Sequence, residues 1–382
     1  MTTTATISRE AATPTGTSDR AQGIDALRAA VTALVVFHHA ALTYGAIGGW
    51  YYRELPPSPT VPSLLLVLFC TTNQAWFMGL FFLLAGYYTP AAYERRGATA
   101  FLRGRLVRLG APLVVYAPLL HPLTVALAQT AQGRSFSGAL AWLYVHARFE
   151  PGPLWFAEAL LIFTAAYAAW RSLRRPTKSA FPSDGALLGA ALSTGAAAFV
   201  LRLVWPVGVN VGFLQLGYFA SYIVLFAAGC VAAPGRWLEN IAEPIKRRWL
   251  RIAWLAFPLF PAVAIVGGHI SWLGGRAEGG MNVQALVYAF WEPFVAWGFI
   301  LGLLALFEKR FAAPGRLGRK IARRAYLVYI IHPPILVAVA LAWRSVEAPA
   351  LLKFVITGSV ACVACYLVAG LLLRTRIVAR VV

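Results

Sequence analysis

The sequence is poor in charged residues, and above all in acidic ones. Lys, Arg, Asp and Glu make up 13% of its 382 residues, and only 14 residues are Asp or Glu. Soluble domains contain about 25% charged residues. Because 59% of the residues are hydrophobic and the mean hydropathy is +0.67, this composition excludes an ordinary soluble domain.

Cysteines and familiar catalytic loops are also scarce. All four cysteines lie inside apolar runs, where packing is favoured over disulfide, zinc or redox chemistry. No metal site is predicted. The sequence has no P-loop, no HExxH pattern and no nucleophile elbow, which disfavours an ATPase or a protease.

The first 22 residues lack the apolar core of a secretory signal. They are rich in Thr, Ala and Ser, so we expect 1–22 to be a disordered cytoplasmic tail. The rest of the chain is predicted to be one transmembrane domain, 23–374, followed by a short cytoplasmic tail, 375–382.

Apolar runs of about 17–25 residues recur along that domain, and each is long enough to cross the ~30 Å hydrocarbon core of a bilayer. They predict an all-α integral membrane protein, a bundle of about ten transmembrane helices embedded in lipid. A short basic loop is expected between the second and third spans. The predicted spans are about 24–46, 62–89, 109–131, 153–170, 185–205, 212–233, 252–268, 284–307, 325–343 and 350–373.

The net charge of +20 is distributed unevenly between the loops. Most Lys and Arg residues lie in alternate loops, as the positive-inside rule requires of cytoplasmic segments. Both termini are therefore predicted to be cytoplasmic, in an inner or plasma membrane. The absence of a basic soluble domain argues against a nucleic-acid partner. The basic residues in the other loops are Arg53, Arg134, Arg148, Arg276 and Arg344.

The first span contains the most unusual polar residues, Asp25, Arg28, His38 and His39. Eleven residues are about three helical turns, so Arg28 and His39 share one face, roughly 16 Å apart along the axis. A neutral imidazole can take a proton from a hydroxyl. His39 is therefore either a general base or a structural histidine bonded between helices, whereas His38, about 100° round the helix, is expected to be structural.

Two further motifs have alternative interpretations. Arg105 and Arg108 form an RxxR that either binds phosphate or anchors a cytoplasmic loop. His332 precedes Pro333 and Pro334, which interrupt a span. It either lines a cavity, where broken membrane helices are tolerated, or is a structural residue of the kink.

The remaining candidates are intramembrane carboxylates and aromatics. Glu158 and Glu292 could each pair with an Arg or His, or bond between helices. Trp155 is expected to be a packing or interface residue. Trp50 and Tyr51 follow the first span and are typical of the aromatic belt at a membrane surface.

Four segments in order resemble the acyltransferase 3 family of membrane acyltransferases: IDALRAAVTALVVFHHA, FFLLAGYYTP followed by FLRGRLVRLGAP, PLWFAEALLIF, and AYLVYIIHPP. The family's RX10H spacing falls on Arg28 and His39, and its RxxR falls on Arg105 and Arg108. The resemblance extends over about 24–345.

One position departs from the family pattern. The serine of its SGY-type motif is replaced by Ala85, while Gly86 and Tyr87 match. This replacement argues against a hydroxyl role at position 85.

The resemblance implies transfer of an acyl group, commonly acetyl, from acyl-CoA to a hydroxyl of a carbohydrate or related cell-envelope molecule. It implies that His39 is the general base and that Arg28 stabilises the oxyanion or positions the donor. Asp25 would orient Arg28, and Arg105 and Arg108 would hold the CoA phosphates. The implied supporting residues are Tyr87, Trp155, Glu158, Glu292, Tyr329 and His332.

A polysaccharide- or glucan-modifying branch of the family is the nearest match. The alternative from a different class is a multi-pass transporter or flippase of glycans or lipids, because transporters also use intramembrane His, Glu and proline breaks.

Overall fold

The computed structural model describes residues 17–174, 177–268, 270, 273–311 and 316–381. Residues 1–16 of the expected N-terminal tail and Val382 of the expected C-terminal tail lie outside these ranges. The described residues are almost entirely helical and contain no β-strand; one isolated bridge joins Val211 and Leu214.

The described part of the chain forms fifteen α-helices. They are α1 (Thr17–Thr43), α2 (Val61–Arg105), α3 (Ala111–Val115), α4 (His121–Thr130), α5 (Phe136–Val145), α6 (Trp155–Leu173), α7 (Asp184–Val204), α8 (Phe219–Gly235), α9 (Trp237–Asn240), α10 (Glu243–Ala256), α11 (Leu259–Gly267), α12 (Val283–Arg310), α13 (Arg316–Ala342), α14 (Ala350–Leu372) and α15 (Arg376–Val381).

Among the described residues, nine helical segments are long and apolar enough to cross a membrane, which confirms an all-helical multi-span protein. One of them, Val61–Thr130, has 70 residues. At ~1.5 Å per residue the helix path of this run is about 105 Å long, more than three times the ~30 Å of a bilayer core. It can therefore cross twice and supply the tenth predicted span. The cytoplasmic position of the termini stays a prediction.

The basic loop expected between the second and third spans is instead helical. α2 extends to Arg105, and the chain changes direction inside it at Gly97, where φ is 72° and ψ is 167°. This backbone conformation favours glycine because it has no Cβ. A single glycine therefore separates two helical segments without a loop.

The same run continues through two π-helical turns, Leu106–Gly110 and Tyr116–Leu120. Pro112 and Pro122 lack an N–H, so the carbonyls four residues earlier, at 108 and 118, lose their helical donors. Tyrosine hydroxyls replace both donors. Tyr326 donates to the carbonyl of Arg108 at 3.0 Å, and Tyr144 donates to the carbonyl of Pro118 at 2.6 Å.

The helices that frame the site pack around one large apolar core. α1 packs against α13, α14 and α12, and α2 packs along α8. The α2–α8 contact depends on glycine. A Cβ at Gly86 would lie 2.1 Å from the carbonyl oxygen of Phe226, and one at Gly229 would lie 2.2 Å from that of Leu83.

Candidate active site

His39 lies one turn before the end of α1 at Thr43, and its side chain is half-buried. The neighbouring His38 is buried and packs against Phe77, with ring centroids 5.0 Å apart. The two histidines therefore face different parts of the bundle, and the face of His39 leads to a second polar side chain.

That second side chain is His332 of α13, which is fully buried. Nδ1 of His39 lies 3.0 Å from Nε2 of His332, and Nδ1 of His332 lies 2.7 Å from the carbonyl oxygen of Tyr329. Both histidines were singled out in the sequence, but their pairing was not predicted because 293 positions separate them.

The carbonyl of Tyr329 is available because residue 333 is a proline. In a regular helix the N–H of residue 333 would donate to it, and Pro333 has none. A carbonyl only accepts hydrogen bonds, so Nδ1 of His332 carries a proton, and its Nε2 in the neutral ring is an acceptor. Nδ1 of His39 must then be the donor. Nε2 of His39 is left with the free lone pair that a general base needs.

The indole of Trp50 covers the two imidazoles. Its ring is 4.0 Å from that of His39, with planes 18° apart, and 5.9 Å from that of His332, with planes 9° apart. Trp50 comes from the connection between α1 and α2 and was predicted to be a membrane-belt residue. The aromatic run that begins at Trp50, directly after a span with two histidines, was the signal available in the sequence.

Beside Trp50 is a group of polar aromatics. Tyr51 Oη lies 3.1 Å from Tyr116 Oη, and the Tyr51 ring is 5.7 Å from that of His121. His121 Nε2 in turn lies 3.8 Å from Glu150 Oε2. Burial raises the pKa of the Tyr51 phenol, so this hydroxyl stays neutral. The sequence analysis assigned no site role to these residues, because they come from three separate connections and helix ends.

Arg28 and Asp25 lie toward the opposite end of α1. Arg28 Nη1 donates to Asp25 Oδ1 at 3.1 Å, and both side chains are about half exposed, at 45% and 53%. Eleven residues of helix, roughly 16 Å, separate Arg28 from His39. Asp25 thus contacts Arg28 in the expected way, at a distance from the histidine pair.

The RxxR arginines flank the end of α2. Arg105 Nη2 donates to Thr89 Oγ1 at 3.3 Å, and its guanidinium lies 5.3 Å from the centre of the Phe101 ring. The Arg108 side chain is exposed. Its carbonyl accepts from Tyr326 of α13, six residues, or about 9 Å of helix, before His332. One helix therefore contacts both the RxxR segment and His39.

Four of the expected supporting residues have defined partners. Tyr87 donates to Glu239, and Tyr329 donates to the carbonyl of Pro153. Glu292 is buried and pairs with Arg202 of α7, while Trp155 stacks on Tyr222 at 5.7 Å. These contacts tie helices together.

Glu158 differs from Glu292, the other intramembrane carboxylate, in its hydrogen bonding. One of its oxygens, Oε2, is buried with no hydrogen-bond partner among the described residues. It lies one turn from the start of α6, where the helix dipole favours negative charge.

Comparisons of the sequence with known proteins show what the chain is similar to. A family model described as an acyltransferase domain matches residues 22–372. The glucans biosynthesis protein C of Shigella dysenteriae serotype 1 (strain Sd197) is 26% identical over 151 residues, which cover 37% of this chain and 36% of that protein. The chain thus matches about a third of the length of this curated relative. No solved structure matches the chain.

Proposed function

Because this chain belongs to the acyltransferase 3 family of membrane acyltransferases, we propose that it transfers an acyl group from acyl-CoA to a hydroxyl of a carbohydrate or related cell-envelope acceptor. Acetyl is the acyl group we favour, and the inner or plasma membrane is the location. The name of the glucan-biosynthesis relative supports a glucan-like acceptor.

The observation that carries the proposal is the hydrogen-bonded pair of His39 and His332. Its chain of donors and acceptors supports Nε2 of His39 as the base. In the reaction, the acceptor hydroxyl attacks the thioester carbonyl carbon, a C–O bond forms and the C–S bond breaks. The hydroxyl proton moves to Nε2 of His39 and then to the leaving CoA thiolate, so that free CoA thiol and an ester are the products.

Two neighbours support the charged state of His39 during this step. A protonated imidazole keeps its Nδ1–H bond to His332, and hydrogen bonds from charged donors are roughly twice as strong as neutral ones. The parallel indole of Trp50 offers the negative face of its π system to the same cation. His332 and Trp50 are therefore positioning residues for the base.

The donor is proposed to bind with its phosphates at Arg105 and Arg108, since arginine side chains bind phosphate in two-pronged geometry. Arg28, oriented by Asp25, would help to position the donor. It would do so toward the end of α1 that is opposite to the histidine pair. The pantetheine arm of CoA is about as long as four extended residues, roughly 14 Å. That length is similar to the roughly 16 Å between Arg28 and His39, so a donor whose phosphates lie beside Arg28 would extend its thioester toward His39.

His39→Ala tests the proposal directly. We expect the variant to insert and purify normally but to lose transfer of radiolabelled acetyl from acetyl-CoA to a glucose oligomer, by about 10²–10⁴-fold or more. His38→Gln is the matched control, because it changes the adjacent histidine that packs on Phe77, and it should retain activity. Full activity of His39→Ala would refute the mechanism, and glycan export without thioester consumption would favour a transporter.

A further inference from the structure

We call Trp50, Tyr51, Tyr116, His121 and Glu150 the outer cluster. Trp50 also positions the proposed base, whereas the other four residues have no role assigned in the base or in donor binding. We propose that the outer cluster is the acceptor-binding subsite and that it binds an uncharged sugar ring. This inference rests on the proposed acyl transfer and adds the residues and the chemistry that select the acceptor.

The outer cluster forms a path of side-chain contacts from the protein surface to His39. The Glu150 side chain is 60% exposed, whereas His121, 3.8 Å away, is 6% exposed. From His121 the contacts continue to Tyr51 at 5.7 Å between rings, and from Tyr51 to Trp50 at 5.1 Å. Trp50 then stacks on His39. A ligand bound along this path would bring a hydroxyl to the histidine pair.

The chemistry of the cluster matches that of a sugar. Aromatic rings provide apolar faces for the C–H groups of a pyranose, and a few convergent polar groups fix its orientation. Those polar groups are the Tyr51 and Tyr116 hydroxyls, 3.1 Å apart, and the Glu150 carboxylate. Such a mixture of flat apolar faces and hydrogen-bonding groups suits a hydroxylated ring better than a fatty chain.

Two nitrogen atoms of the cluster lack partners. Trp50 Nε1 and His121 Nδ1 are buried with no hydrogen-bond partner among the described residues. An unsatisfied buried polar atom costs about 1–3 kcal/mol, and most such atoms in proteins are paired. Hydroxyl oxygens of a bound sugar would supply the missing partners, at the two ends of the path nearest the base and nearest Glu150.

Charge selects the kind of sugar. Glu150 is the member of the cluster that carries a carboxyl group, and it lies at the exposed end. A carboxylate accepts hydrogen bonds from sugar hydroxyls but repels a uronate or phosphate group. The acceptor is therefore a neutral ring.

Gly152 maintains the shape of the cluster. Its φ is +51°, and a Cβ there would lie 2.2 Å from Tyr51 Oη and 2.9 Å from Tyr116 Cε1. A side chain at this position would push the two tyrosines apart. Gly152→Ala is thus a variant that disturbs the subsite without removing a polar group.

Steady-state kinetics with acetyl-CoA and a soluble neutral glucose oligomer test the proposal. Tyr51→Phe and Glu150→Gln should each raise the KM for the oligomer about 5–10-fold, the equivalent of one lost hydrogen bond. The KM for acetyl-CoA and kcat should stay unchanged. Gly152→Ala should also raise the acceptor KM. Glu278→Gln is the matched control, with the same charge change on an exposed side chain of a different predicted outer loop.

The outcomes separate the two proposals. An unchanged acceptor KM in both variants, with normal thioester consumption, overturns the subsite and leaves the acyltransferase intact. Preferential transfer to a glucuronate oligomer, or thioester consumption without transfer to either oligomer, overturns the neutral-sugar assignment. If wild-type protein consumes no thioester with any acceptor, the proposed function itself fails.

Discussion

Pro333 affects the candidate site because it lacks a backbone N–H. Its missing N–H leaves the carbonyl of Tyr329 free to accept from Nδ1 of His332. That bond fixes the protonated nitrogen of His332, and His332 in turn fixes that of His39. Pro334 follows immediately, but the carbonyl that it frees, at Ile330, accepts from no imidazole among the described residues.

We therefore expect Pro333→Ala to lower kcat for acyl transfer about 10-fold while KM changes little. The new backbone N–H would compete with His332 for the Tyr329 carbonyl, and His332 could then adopt the other tautomer. The same substitution should not lower the thermal unfolding midpoint, because it adds a helical hydrogen bond and removes a helix-disfavouring residue.

Pro334→Ala is the control for this prediction, since it also adds a backbone donor one residue further on. It should keep the kcat of the wild type. An equal loss of activity in both variants would mean that the prolines act by shaping the helix kink alone.

At the scale of the helices, backbone contact between α2 and α8 holds the bundle together beside the site. Gly86 and Gly229 allow the two backbones to touch, as small residues do in membrane helix pairs. Gly86 is also the position that matches the family's SGY-type motif. Its physical role is close packing, and the next residue, Tyr87, fixes α2 to α9 through Glu239.

Replacing Gly86 or Gly229 with alanine should destabilise the protein by about 1–3 kcal/mol, because the added methyl group meets backbone atoms that cannot rotate away. Gly189→Ala in α7 is the matched control, since its Cβ would have no neighbour within 4 Å. That control should be neutral or stabilising by up to about 1 kcal/mol, the helix preference of Ala over Gly. Thermal unfolding midpoints in detergent measure both, and equal midpoints for all three variants would contradict the packing argument.

In the molecule as a whole, the Asp25–Arg28 pair and the histidine pair lie at different levels along the bundle. Asp25 and Arg28 lie toward one end of α1, and the histidine pair lies toward the other. α13 connects the carbonyl of Arg108 to His39 through Tyr326 and His332. A donor bound at the RxxR arginines and an acceptor bound at the outer cluster would therefore approach the base from different directions.

Arg105→Ala and Arg108→Ala should each weaken CoA binding at least about 10-fold. A charge-assisted hydrogen bond contributes about 1.5–3 kcal/mol, and 1.4 kcal/mol corresponds to a factor of ten in Kd. Isothermal titration calorimetry with CoA on the purified protein measures the effect. Arg103→Ala removes an exposed charge from the same segment and should leave the Kd for CoA unchanged. A similar loss of affinity in all three variants would mean that the RxxR arginines contribute only general positive charge.

Local properties of the sequence were enough to identify the membrane-spanning segments and the family resemblance. Hydrophobic length and loop charge are local properties, so the apolar spans and their basic connections could be located without a structure. Helical periodicity also separated His39 from His38, because the face of a side chain depends only on its position along one helix. The change of helix direction at Gly97 was not predicted, since a single glycine between basic residues resembles a loop.

The contacts of His39 follow from the folded arrangement of the helices and could not be predicted from the sequence. His332 lies 293 positions away, and Trp50 comes from a connection whose path no periodic pattern describes. Contacts between helices depend on packing and crossing geometry, which sequence spacing does not encode. The sequence therefore identified the histidine and the proline motif separately, and the fold joined them into one hydrogen-bonded pair because α1 and α13 pack side by side.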